Sequence, residues 1–174
     1  MEDIDSLVED FCKGKYDFNV SDDAWPHVFA KLANNTENME FEKDKIHTLW
    51  TVNGGHLRRK VKDDALIARV LTAALPGYSG LGLTLYRGEC HFLYEANQIG
   101  FCWTPKIEVA EMFASGLNSI ESGGVLLKAY APSPSILASP NEHSAKQMQE
   151  FEYTCNPNLI EKIELIKTYA KFKS

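Results

Sequence analysis

Three stretches in the second half of the chain combine residue types that could take part in chemistry. The first is Tyr86-Arg87-Gly88-Glu89, in which an arginine closes a predicted strand beside a glycine. A guanidinium group at this place could hold a phosphate or carboxylate through two parallel hydrogen bonds, and the glycine would let a ligand approach the backbone. The alternative is an arginine in a surface turn. Arg87 and Gly88 are therefore candidates for binding an anionic ligand.

The second stretch is Phe101-Cys102-Trp103-Thr104-Pro105, where a predicted strand runs into a predicted helix. The thiol and the hydroxyl at this junction could position a ligand. Thr104 is also a residue type that caps the start of a helix, and capping explains it about as well. We do not expect Cys102 to be a nucleophile, because no feature of the sequence places it beside His91 or His143. A cysteine packed in a buried strand is the commoner case.

The third stretch is Glu150-Phe151-Glu152-Tyr153. In an extended segment, the side-chain period of two would place both glutamates on one face and both aromatic rings on the other. Two neighbouring carboxylates raise the pKa of one of them, which suits acid–base work or the stabilisation of a cation. The polar face of an edge strand would show the same pattern. Residues 140–149, which precede the pair, are polar and predict a mobile loop that could contact substrate.

The elements that must position these residues change character half-way along the chain. Residues 1–80 show the apolar spacing of amphipathic helices. Breaks between helices are expected at Gly14, Asn34-Asn35-Thr36, Asn53-Gly54-Gly55 and Pro76-Gly77. We therefore expect an N-terminal helical lobe.

Beyond residue 80, β-branched and aromatic runs predict strands at residues 83–87, 99–103, 124–130, 136–138, 151–155 and 163–167. A short helix is expected at residues 91–97, and a second one opens at Thr104-Pro105, with Thr104 as its cap, and ends at Gly116. Helices followed by strands favour an α+β fold over a parallel α/β sheet.

Composition narrows the class of protein. The chain has 174 residues, of which 44% are hydrophobic and 24% charged, so one domain with a genuine core is expected and a disordered chain is not. No apolar run approaches the roughly 20 residues of a membrane span, and the acidic start is not that of a signal peptide. Four scattered cysteines without a CxxC pair indicate free thiols in a reducing compartment. We expect a cytoplasmic protein, with delivery into another cell left open.

The formal net charge of −6 argues against a generic nucleic-acid binder. One basic cluster, residues 58–62, keeps a nucleic-acid substrate open because a local patch can steer an acidic protein. Such a cluster is more often a solvated helix face.

Taken in order, the arginine, the Cys-x-Thr junction and the Glu-x-Glu pair resemble the mono-ADP-ribosyltransferases of the arginine–serine–glutamate clade, which includes bacterial toxin and phage-type enzymes. In that family an arginine on the first core strand, a Ser-x-Ser/Thr motif followed by an Ala-x-x-Phe-Ala helix, and a Glu/Gln-x-Glu pair surround NAD+. The matching residues here are Arg87, Cys102-Trp103-Thr104 with residues 110–114, and Glu150-Phe151-Glu152. The resemblance covers residues 83–166.

The resemblance implies an ADP-ribosyltransferase-like fold in one compact domain, with a helical lobe over residues 1–80 and a split antiparallel β-sandwich over residues 81–174. It implies NAD+ as co-substrate and no metal. Glu152 would hold the ribose 2′-hydroxyl and stabilise the developing cation, and Glu150 would activate the acceptor. Arg87, beside Gly88, would hold the pyrophosphate.

Further roles implied by the resemblance fall on residues around the pair and the junction. Thr104 with Cys102 would position the nicotinamide ribose, and Phe113 would contact nicotinamide, although core packing explains that ring as well. Gln147 and Gln149 would take part in target recognition. One departure is that Cys102 replaces the family's first motif serine, so its hydrogen bonds would be weaker.

The activity implied is cleavage of NAD+ between nicotinamide and ribose, with transfer of ADP-ribose to a macromolecular acceptor. A protein is favoured over nucleic acid, and the glutamate at position 150 suggests arginine. The alternatives are an NAD glycohydrolase, a nucleic-acid ADP-ribosyltransferase and a catalytically idle binding module. A toxin, an effector or a phage-type host modifier would fit, with an antitoxin or immunity partner by analogy, and no membrane partner is expected.

Overall fold

The computed structural model describes residues 2–172. The chain divides into two units, Met1–Gly77 and Tyr78–Ser174. The first unit contains helices, and the second combines helices with antiparallel strands. The α+β class predicted from the order of elements is therefore confirmed.

The first unit contains four α-helices, which are α1 Ile4–Cys12, α2 Ala24–Asn34, α3 Lys43–Val61 and α4 Asp64–Ala74. Two of them begin at aspartate caps. Asp3 accepts a hydrogen bond from the Asp5 amide at 3.1 Å, and Asp63 accepts one from the Leu66 amide at 3.0 Å. Helix α2 contacts the other three, and the core holds Trp25, Phe29, Trp50, Leu57, Ile67 and Leu71.

The predicted break at Asn53-Gly54-Gly55 is wrong, because α3 continues through it. A glycine in a helix costs about 1 kcal/mol relative to alanine. Here Gly54 lies directly on the Trp50 ring, so that a Cβ at that position would be 2.9 Å from Trp50 Cε2. The glycine lets the indole stay buried against its own helix, and packing outweighs the local preference.

The basic cluster at residues 58–62 lies at the end of α3, and two of its four cations form ion pairs. Arg58 forms two hydrogen bonds of 2.9 Å to the carboxylate of Asp64, and Lys60 lies 3.3 Å from Asp22. These pairs take up two of the cluster's charges within the first unit, which weakens the case for a nucleic-acid surface there.

The second unit contains two three-stranded antiparallel sheets. One has the order β1-β3-β6 and the other the order β2-β5-β4. The strands are β1 Leu83–Cys90, β2 Cys102–Trp103, β3 Gly124–Ala131, β4 Ile136–Ala138, β5 Tyr153–Cys155 and β6 Glu161–Tyr169. All six strands were predicted in sequence, but β2 and β5 are shorter than predicted and β1 and β6 are longer.

A single bridge joins β1 to the residue that follows β2. Tyr86 and Thr104 exchange backbone hydrogen bonds of 2.7 and 2.9 Å. Arg87 is the next residue on β1, and its side chain reaches the backbone oxygen of Cys102, two residues before Thr104. The bridge is therefore the feature that brings two of the three chemical stretches together.

Two helices accompany the sheets, α5 His91–Glu95 and α6 Ile107–Ser115. The prediction that Thr104 caps α6 is wrong, since the helix begins at Ile107 and its N-cap residue, Lys106, makes no side-chain cap. The hydroxyl of Thr104 instead accepts a hydrogen bond from the Lys106 amide at 3.2 Å. This bond shapes the turn that leads from β2 into α6.

Among residues 2–172, no helix combines the length and the apolarity that a bilayer crossing requires.

Candidate functional site

The arginine, the cysteine and the second glutamate of the three stretches lie together. Arg87 Nη1 donates a hydrogen bond of 2.8 Å to the backbone oxygen of Cys102. The thiol of Cys102 and the carboxyl group of Glu152 are close enough for each to shift the pKa of the other, and the charge of Arg87 acts on both. The cluster is thus built from β1, β2 and the residue before β5.

Arg87 is held by a second residue of its own strand. Its Nε donates to Glu89 Oε2 at 2.8 Å, and its side chain is only 16% exposed. Burial would lower the pKa of the Arg87 guanidinium, but the charge of Glu89 and its hydrogen bond raise it instead. Nη2 has no hydrogen-bond partner among residues 2–172. The cation is therefore held in place, with one edge left to donate to a ligand.

Glu89 is the residue of this cluster that sequence reasoning missed. It is 1% exposed, and its oxygens accept hydrogen bonds from the amides of Cys90 at 2.8 Å and Gly100 at 3.0 Å. Burial would raise the pKa of Glu89, but the Arg87 charge and these bonds hold it below the ordinary value. The period of two, which puts residues 87 and 89 on one face of a strand, was the signal that could have found it.

Glu152 is 7% exposed, and its Oε1 has no hydrogen-bond partner among the described residues. Burial raises its pKa to about 7. The neighbouring Cys102 thiol and the Arg87 charge lower the pKa, and the charge of Glu150 raises it, but desolvation is the largest effect. Near neutral pH the protonated and the ionised forms of this carboxyl group are therefore both populated. A pKa near the working pH is typical of catalytic acids and bases.

The expectation that residues 150–153 are extended, with both glutamates on one face, is wrong. Gln149 and Phe151 have φ values of 55° and 51°, in the left-handed region, and β5 begins only at Tyr153. Side chains other than glycine, asparagine and aspartate seldom adopt this conformation, which costs on the order of 1–3 kcal/mol and is common at functional sites. The turn buries Glu152 and leaves Glu150 half-buried.

A buried serine holds this turn in place. Ser144 Oγ accepts from the Glu152 amide at 2.8 Å, and Ser144 O accepts from the Glu150 amide at 2.9 Å. The Ser144 amide in turn donates to Asn141 Oδ1 at 2.8 Å. Sequence reasoning predicted a mobile loop over residues 140–149 and missed Ser144, which lies in a π-helical turn, His143–Gln147.

The remaining predicted site residues surround this turn. Glu150 has its pKa raised by burial, an effect that His143 partly offsets. Gln147 is exposed and lies 2.8 Å from His143 Nδ1, and Gln149 is exposed. The ammonium group of Lys106 lies over the Phe151 ring at 3.9 Å from its centre, a cation–π contact that links the turn to the start of α6.

The reason given for Gly88 is wrong, because its open side faces helix α6 and not a ligand. A Cβ at Gly88 would collide with the Ala110 carbonyl oxygen, and would lie 2.5 Å from Ala114 N and 3.0 Å from Phe113 Cβ. Phe113, half-buried on α6, packs at the same contact. Thr104 is buried, and its backbone holds the bridge to Tyr86. Gly88, Phe113 and Thr104 therefore contribute to packing and backbone contacts next to the cluster.

The chemistry available follows from these charges. Burial raises the pKa of Cys102 well above its ordinary value, and Glu152 adds to the effect, so the thiol stays neutral and is a poor nucleophile. All four cysteines are free. Residues 2–172 contain no group of three histidine, cysteine or acidic side chains that could hold a metal ion. What remains is a guanidinium group for an anion and a carboxyl group able to stabilise a cation.

Comparison with family models, with curated proteins and with solved structures gave no match to this chain.

Proposed function

We propose that the protein is an NAD+-dependent mono-ADP-ribosyltransferase with the fold of that family. One observation supports this above the others: Arg87, Cys102 and Glu152, which the resemblance selected from three distant stretches, lie in one cluster, with Arg87 hydrogen-bonded to the Cys102 backbone and Glu152 close enough to interact with both. Order in the sequence alone does not require such an arrangement.

Glu152 is suited to the cleavage step. The bond between ribose and nicotinamide breaks through an oxocarbenium-like state, as in glycoside hydrolysis. In the ground state the positive charge lies on the nicotinamide ring, and it moves to the ribose as the bond breaks. A buried carboxylate beside the ribose therefore stabilises the transition state more than the ground state. Its partnerless Oε1 is free to accept a hydrogen bond from a ribose hydroxyl. Because only the ionised form does this work, turnover should rise as pH passes through about 7.

Glu150 and Arg87 are suited to the two remaining tasks. The bonding electron pair leaves with nicotinamide, the acceptor's lone pair forms the new bond to the ribose carbon, and Glu150 takes the proton that the acceptor releases. Arg87 offers Nη2 to a phosphate oxygen. A protein with net charge −6 needs such a local cation to hold a negatively charged dinucleotide.

The test uses NAD+ labelled separately in nicotinamide and in the adenylate half, incubated with a cell lysate. Wild type should release nicotinamide and transfer adenylate label to material that resists nuclease and is lost to protease. Glu152→Gln should lower nicotinamide release by about 100-fold or more. Glu108→Gln, an exposed glutamate on α6, is the matched control and should leave it unchanged.

Each other outcome contradicts the proposal in a distinct way. Nicotinamide release without transferred label would identify a glycohydrolase. Label lost to nuclease would identify a nucleic-acid acceptor. No release by wild type at any pH between 6 and 9 would leave a binding module.

A further inference from the structure

Arg87 interacts with two buried carboxyl groups in different ways. Glu89 receives a direct hydrogen bond from Nε at 2.8 Å, whereas Glu152 interacts with the same guanidinium group only through its charge. Two acids of the same type, both influenced by one cation, therefore have different environments. This difference requires a contact that keeps the Arg87 guanidinium group at Glu89 and away from Glu152.

We propose that Glu89 is a positioning residue of this site, which holds Arg87 by its Nε edge and keeps the guanidinium group from pairing directly with Glu152. The proposal deepens the proposed function and rests on it for its consequence in catalysis. Glu152 stays unpaired, and so remains available to a ribose hydroxyl and to a developing cation.

The geometry of Glu89 suits this role because the carboxylate cannot follow the arginine. Oε1 accepts from the Cys90 amide, and Oε2 accepts from the Gly100 amide as well as from Arg87 Nε. The first bond ties the side chain to its own strand, and the second ties it to the segment before β2. An anion held by two backbone amides is a rigid partner for a cation.

Glu89 also acts on Glu152 through charge. A buried Arg87 without a counterion would present a full positive charge to Glu152, which would favour its ionised form. With Glu89 beside it, the pair is close to neutral and burial determines the pKa of Glu152. The other groups that interact with Glu152 are Cys102 on β2, Glu150 in the preceding turn and Cys155 on β5. One step further out, His143 acts on Glu150, Lys106 lies over the Phe151 ring, and Tyr153 interacts with Cys155.

The experiment measures the Glu152 midpoint directly, by carboxyl 13C NMR of protein labelled in glutamate, with Glu152→Gln identifying the resonance. In Glu89→Gln the midpoint should fall by about one pH unit. In the double variant Glu89→Gln with Arg87→Gln it should return to near the wild-type value, because both charges are gone. A loosened fold would lower the midpoint in both variants, so the pattern separates charge from damage. Glu95→Gln, an exposed residue of α5, should change nothing.

Wild type supplies a second measurement that needs no variant. The Arg87 Nε–H resonance should show its main change at the acid pH where Glu89 is protonated, and only a smaller change as Glu152 titrates near pH 7. A larger change of that resonance near pH 7 than at acid pH, or an unchanged Glu152 midpoint in folded Glu89→Gln, would overturn the proposal. Both readouts are independent of NAD+ turnover, so an inactive protein would contradict the proposed function while leaving this test intact.

Discussion

Glu152 illustrates how one residue can be costly for the fold and useful for chemistry. A carboxyl group 7% exposed, with one oxygen lacking a partner, is destabilising when ionised. Its pKa is raised from the ordinary 4.5 to about 7. The folded state therefore binds this proton more tightly than the unfolded state, and its contribution to stability is full below pH 4.5 and is lost as pH rises through about 7.

The pH dependence of stability should show this cost. Glu152→Gln removes the titrating group, so the difference in unfolding free energy, variant minus wild type, should grow by on the order of 3 kcal/mol between pH 4.5 and pH 8. Urea unfolding at several pH values measures it. The difference isolates Glu152 from Glu89, whose lowered pKa gives a contribution of opposite sign, lost as pH falls. A flat difference would mean that the carboxyl group is solvated.

Sequence reasoning identified the residues whose side chains could react or bind a ligand, and it missed the residues that position those side chains. Arg87, Cys102 and Glu152 were selected through a motif and lie together. Glu89 and Ser144 were not selected, because their importance lies in which backbone amides they reach. The contact of Ser144 depends in addition on the turn at residues 149–151, whose left-handed backbone no propensity predicts.

At the scale of elements, local rules predicted the order of helices and strands but not every boundary. The break at Gly54 failed because an indole ring packs on it, and the cap at Thr104 failed because that residue serves a bridge between sheets. A packing contact within the helix in the first case, and a tertiary bridge in the second, outweighed a local preference worth about 1 kcal/mol. The strands of the β1-β3-β6 sheet were predicted over most of their length from their apolar and β-branched residues, even though β6 is exposed along nearly all of it.

The glycines offer a matched pair of element-scale substitutions. Gly88→Ala places a methyl group against the α6 backbone, and should lower the unfolding free energy by about 2 kcal/mol or more. Gly55→Ala, within α3, meets nothing within 4 Å and should raise it by about 0.5–1 kcal/mol. Chemical denaturation of both variants measures the two signs. Equal effects would contradict the close contact between β1 and α6.

The turn before β5 depends on one hydroxyl. Ser144→Ala leaves the buried Glu152 amide without its acceptor, and should lower the unfolding free energy by about 1–3 kcal/mol and NAD+ turnover by about 10-fold or more. The control is Ser135→Ala, a buried serine whose hydroxyl donates to the Pro132 oxygen at 2.7 Å. It should cost similar stability and leave turnover unchanged. Equal loss of turnover in both would show that stability alone is responsible.

At the scale of the whole molecule, the chain carries a net negative charge, and the candidate site also contains more acidic than basic groups. The net charge is −6, and the cation best placed for an anionic ligand, Arg87, is already paired with Glu89. Glu150 and Glu152 lie close by. Binding of a dinucleotide would therefore depend on directed hydrogen bonds from Nη2 and backbone amides more than on long-range attraction.

The division between the two units predicts where a protease cuts first. The segment between α4 and β1 contains Leu81, which is 85% exposed, directly after the boundary at Gly77/Tyr78. Brief chymotrypsin treatment should cut after Tyr78 or Leu81 and give two fragments that resist further cleavage. Leu117 is also 70% exposed but lies in a hydrogen-bonded helical turn, and should be cut later. First cuts inside either unit would contradict this organisation.

Helix α6 lies so close to its sheet that Gly88 and Gly124 both face it, the second directly against the Ala114 carbonyl oxygen. Ala110 and Ala114 are buried at the same contact. None of these four residues can be replaced by a larger one unless the helix and the sheet move apart. Over evolutionary time the four positions are therefore expected to drift as a set, so that distant descendants of this chain would keep small residues there even after the residues that meet a ligand had diverged.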